Sequence, residues 1–143
     1  ILKFEKGFEP TLTGGEDFHF YYRLARHTPV GLINKVGIKR RLHNSNISGD
    51  VEKMRIQAIR SRSILLQDEK DPKNRHFLRC FILKCKGDLA RFHADRGFFS
   101  QSLKYDLEIL GGRPFWCPEK MGAFRNILRT ILLAAGWPFH QQK

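Results

Sequence analysis

Between residues 49 and 143 apolar side chains recur every three or four positions, in runs cut by glycine and proline. That spacing admits little besides packed amphipathic helices. Val51, Met54, Ala58 and Leu65 mark one face, widened by Ile56 and Ile59. Ser48 or Asp50 is placed to cap this helix. Asp68 to Pro72 breaks the pattern. The next stripe is Leu78, Phe81 or Ile82, Cys85, Leu89 and Phe92, and Gly97 ends it. Phe99, Leu103, Leu107 and Leu110 are expected to face inward on a further helix, closed by Gly111, Gly112 and Pro114. A last helix is predicted near Glu119 to Ala135.

Residues 1–48 read differently. Gly7, Pro10, Gly14 and Gly15 punctuate a loop. Glu16 and Asp17 then open a short helix whose Phe20 and Leu24 share a face, with Pro29 beyond its end. Val30 to His43 reads as extended, with Val30, Ile33, Val36 and Ile38 as its strand formers and Gly31 and Gly37 weakening it. The predicted class is therefore an α/β fragment of short strands plus a helix over 1–48, followed by a mostly α-helical region over 49–143.

The chain has 143 residues, room for one ordinary domain with a modest core. Its net charge is +12, a field that attracts phosphates of any kind. Hydrophobic residues at 41% are too many for a disordered basic tail. Cys80, Cys85 and Cys117 form no CxxC pair and no even framework, which argues against a disulfide-stapled secreted domain. The longest uncharged apolar stretch, Thr130 to Phe139, falls short of the roughly 20 residues of a membrane span. The first residues carry no apolar leader and no initiator Met, so the expectation is a chain that begins mid-protein or after processing.

Two clusters carry chemistry. Gly14 and Gly15 allow a substrate close to the backbone, and Glu16 and Asp17 behind them offer a general base or an acceptor for a hydroxyl hydrogen bond. The same two acids also suit the first turn of any helix through its dipole. Arg41 is a natural phosphate partner, and His43, before the polar run Asn44 to Ser48, suits a divalent metal or a phosphate. It suits a backbone-bonded turn histidine equally well.

Taken in order, Gly7-Phe8-Glu9-Pro10, Gly15-Glu16-Asp17, Arg23-Leu24 and Arg41-Leu42-His43-Asn44-Ser45-Asn46-Ile47-Ser48 resemble the C-terminal half of a family 2 glycosyltransferase catalytic domain, over about a third of the chain. Glu9-Pro10 stands where that family commonly has Asp-Glu. The resemblance implies a GT-A type fold and an inverting transfer of sugar from a nucleotide-diphosphate-sugar to an acceptor hydroxyl. It implies Asp17 as base and Glu16 as its positioning partner. It places Gly14, Gly15 and Arg41 around the substrate and gives His43 to the metal, Mg²⁺ or Mn²⁺. The implied setting is polysaccharide or glycoconjugate synthesis for the cell envelope. The acceptor is a saccharide or a lipid-linked one, and the location is the cytoplasm or the inner membrane surface. The family's donor-binding half and its D-x-D motif have no counterpart here; Asp68-Glu69-Lys70-Asp71 is not one. On this reading the chain alone is inactive and its sheet has an open edge.

Phe124, Ile127, Leu128, Ile131, Leu132 and Ala135 give the last helix an apolar face, followed by Trp137, Pro138 and Phe139. That face either packs on its own domain or meets a membrane surface through residues 124–139. The competing class is a basic helical nucleic-acid-binding or adaptor module, with Arg55, Arg60, Arg62, Lys73, Arg75, Lys84 and Arg91 forming one cationic face. No zinc-finger spacing or RNP-like strand supports it.

Overall fold

The computed structural model describes residues 7–31, 33–35, 37–39, 49–113 and 117–136. They form five helices: α1 (Glu16–Ala25), α2 (Val51–Asp68), α3 (Pro72–Ala94), α4 (Phe99–Gly111) and α5 (Pro118–Ala134). All five lie where the sequence periodicity puts them.

The α/β expectation is overturned. Among the described residues there is no strand. The segment read as extended leaves Val30 and Ile33 79% exposed and Ile38 88% exposed. β-Branched residues favour a strand only as one side of a ladder and one face of a packed layer. Among the described residues nothing supplies either.

The chain divides into two compact units, Ile1–Ser61 and Arg62–Lys143, with the division inside α2. In the first unit the loop before α1 is fixed by α2. Leu12 and His19 are buried, and the Phe8 and Phe20 rings lie 5.0 Å apart. Arg23 Nη2 donates to the Gly7 carbonyl at 2.9 Å, holding the incoming chain against α1. At the start of α2, Asp50 is the cap, its Oδ1 accepting from Lys53 N at 2.9 Å.

In the second unit α3, α4 and α5 pack on one another. Asp71 caps α3 by accepting from Lys73 N and Asn74 N, and Pro72 sits where no backbone donor is required. Arg75 Nη1 donates to the carbonyls of Leu66 and Glu69, tying the end of α2 to the start of α3. Leu78, Cys85 and Leu89 are buried as their spacing predicts. Leu83, Ile109 and Ala123 then join α3, α4 and α5 in one apolar cluster.

Two helices are rotated from the expected faces. On α4 the buried residues are Ser102, Asp106 and Ile109, while Leu107 is 63% exposed. On α5 they are Ala123, Asn126 and Thr130, while Phe124, Leu128 and Ile131 are exposed. The reason is a polar contact between the helices. Asn126 Nδ2 donates to Asp106 Oδ2 at 2.7 Å, and the Ser102 and Thr130 hydroxyls meet at 3.3 Å. Small and polar side chains face each other there, and the larger apolar ones turn outward. Leu89→Ala is expected to cost about 2–5 kcal/mol in urea denaturation. Leu107→Ala is expected to stay within about 0.5 kcal/mol, whereas an inward Leu107 would give two large losses.

Candidate functional site

Gly14, Gly15, Glu16 and Asp17 come together at the start of α1. Gly15 has φ of 72°, the left-handed region that a side chain strains against. A Cβ on Gly14 would lie 3.3 Å from Gln57 Cβ, so the loop passes close against α2. Two bonds hold it there. Thr13 N donates to Gln57 Oε1 at 3.4 Å, and the buried Ser61 donates to the Gly15 carbonyl at 3.0 Å.

Neither Glu16 nor Asp17 is buried whole. No side chain caps α1. Asp17 is exposed, and its Oδ1 accepts from Phe18 N at 2.6 Å. Glu16 Oε2 is buried without a hydrogen-bond partner. The site thus offers one exposed carboxylate, Asp17, beside a carboxyl with one oxygen buried, Glu16. Glu9 is a nearby member of the ordered motifs. The Thr11 hydroxyl at 2.8 Å, and then the Thr11 backbone N–H, hold its carboxyl below the usual range.

Arg41 and His43 lie outside the described residues, as do Asn44 to Ser48. Among the described residues no group of three or more His, Cys, Asp or Glu could hold a metal ion. The residue that the resemblance gives to Mg²⁺ or Mn²⁺, His43, is not among them. Among them, no helix is long and apolar enough to cross a membrane.

The cationic face expected on residues 55–91 is partly consumed by the fold. Arg62 is buried with its guanidinium 4.4 Å from the Phe81 ring centre. Arg75 serves backbone carbonyls, and Arg91 pairs with Asp88.

The second unit holds a cavity of about 360 Å³ that the sequence did not signal. Asp106 and Asn126 line it with Glu119, and Lys84, Arg91 and Arg125 bring positive charge to it. Asp106 is fully buried. Burial pushes its carboxyl above the usual range, and the Asn126 bond and the Arg91 charge oppose that only in part. Asp106 Oδ1 and Asn126 Oδ1 have no hydrogen-bond partner. Nothing in the sequence hinted at it, because both helices carry other charged and polar residues. Spacing alone would assign Asp106 and Asn126 to solvent. Cys80 offers no ready nucleophile: burial first, and the charges of Glu119 and Cys117 after it, raise its thiol above the ordinary value.

The raised Asp106 carboxyl fixes the sign of a pH effect. The folded protein holds the proton more tightly than the unfolded chain, whose value is 3.8. The resulting stabilisation is full below that value and is lost as pH rises through the folded one. Urea titrations of wild type and Asp106→Asn are expected to show a stability difference that moves against the wild type as pH rises from about 3.5 to 7. A difference that stays constant with pH would contradict an upward shift.

Comparison with protein-family models, curated proteins and solved structures finds no match to this chain.

Proposed function

We propose that the start of α1 serves glycosyl transfer of the kind family 2 glycosyltransferases perform, moving a sugar from a nucleotide-diphosphate-sugar to an acceptor hydroxyl. The observation that carries this reading is the pair Glu16-Asp17 behind the left-handed turn at Gly15, with Asp17 exposed and Glu16 Oε2 buried without a hydrogen-bond partner. The order of motifs through residues 7–48 supports it; the absence of any strand among the described residues goes against the GT-A fold it would imply.

In this reading Asp17 accepts the proton of the acceptor hydroxyl. The freed oxygen pair forms the new bond at the anomeric carbon. The bond from that carbon to the diphosphate breaks, and the nucleoside diphosphate leaves with its electron pair. A single displacement inverts the anomeric centre. Glu16 positions the acceptor by taking a hydrogen bond from a second hydroxyl. Arg41 and His43 keep the roles the resemblance implies, at the diphosphate. The +12 charge favours an anionic donor and leaving group.

The nucleic-acid alternative has less support. Arg62, Arg75 and Arg91, three of its seven candidate cations, are engaged within their own unit.

The test is a sugar-transfer assay on the protein that carries this chain, using nucleotide-sugar donors. Asp17→Asn is expected to lower kcat by about 10²–10⁴-fold with little change in the donor KM. Glu16→Gln is expected to act mainly on the acceptor KM. Full activity in Asp17→Asn would sink the assignment.

A further inference from the structure

The rotation of α5 creates a surface that the proposed chemistry does not use. The helix buries Ala123, Asn126 and Thr130 and turns Met121, Phe124, Leu128 and Ile131 outward, at 65%, 61%, 60% and 53% exposure. Their spacing of three, four and three residues forms one continuous stripe on the side opposite the buried residues. An unbroken apolar stripe of this kind marks an interaction site more often than chance exposure does.

Charge identifies the occupant. At 100° per residue, Lys120 and Arg125 border the stripe, one on each edge. Arg125 is exposed, and Lys120 Nζ donates to the Leu110 carbonyl at 2.8 Å. Glu119 is the helix's only acid and falls on the side of the buried residues. Arg129 is on the buried side of Arg125 and is paired with Asp95 at 2.6 Å. The outward arc is therefore apolar along its middle, cationic at its edges and without an acid. A second copy of the chain would bring another +12 to the same place, which opposes self-association.

We infer that the outward face of α5 docks on an anionic membrane surface, with Met121, Phe124, Leu128 and Ile131 entering the headgroup boundary and Arg125 meeting lipid phosphate. This is the arrangement of an interfacial helix, except that its polar side is occupied by α4 instead of water. Such a helix needs no length for crossing, in keeping with a 17-residue element. The inference is independent of the proposed sugar transfer.

Flotation of the chain with phosphatidylcholine vesicles containing about 30% phosphatidylglycerol tests it. Wild type is expected to float with these vesicles and far less with pure phosphatidylcholine. Phe124→Gln with Leu128→Gln is expected to weaken partitioning at least about tenfold. Arg125→Gln is expected to weaken it about fivefold. Both changed apolar residues are exposed, so circular dichroism should show unchanged helix content. Three results would overturn the inference. Wild type could remain unbound at low salt. The double variant could bind as wild type does, leaving bulk charge as the whole cause. Wild type could elute as a dimer that the double variant dissolves, without vesicle binding, making the stripe a contact between copies.

Discussion

The bond from Asn126 to Asp106 sets the arrangement of the second unit. A buried carboxyl without a donor is expensive, and a buried amide without an acceptor is hardly less so. Once α4 turns Asp106 inward, α5 must turn Asn126 toward it, and the Ser102–Thr130 contact follows on the same faces. With these positions fixed, Leu107, Phe124, Leu128 and Ile131 have only the outward side left. The polar core and the exposed stripe of α5 are two consequences of one pairing, while the burial that comes with it raises the Asp106 carboxyl against the pull of the Asn126 bond.

The first unit rests on a different device. Its loop reaches α1 through Gly14, pressed against Gln57, and Gly15, in the left-handed conformation. Ser61 locks the turn through the Gly15 carbonyl. The acids that follow inherit a fixed position, and Asp17 adds one bond of its own, from Phe18 N. The charged groups that would complete a transferase site, Arg41 and His43, lie outside the described residues, so the carboxylates are the part of the site whose geometry is known.

Much of the fold was legible in the sequence. Helix positions and the burial of Leu78, Cys85 and Leu89 follow from spacing and end signals, and Asp50 is one of the two caps that the sequence offered. The clustering of Gly14, Gly15, Glu16 and Asp17 followed too, because it is local. Two readings failed for one reason. Val30 to His43 was read as extended from β-branched content, yet its described residues form no strand, because a strand exists only with a neighbour to bond. Leu107 was assigned to the core from periodicity and the apolar face of α5 was left between the core and a membrane surface, yet a face is buried only if a partner face suits it. Periodicity says which residues share a side. It does not say which side meets another helix.

The sequence by itself determined where the helices begin and end, the +12 field and the carboxylate pair at the first turn of α1. These are properties of near neighbours along the chain or of simple sums. Only the tertiary structure decided that Asp106 and Asn126 would be interior, that Arg62 and Arg75 would be spent on the fold, and that α5 would present its apolar side outward. Those outcomes depend on pairing groups far apart in sequence. The energy of satisfying a buried polar group outweighed the pull of a simple apolar pattern there.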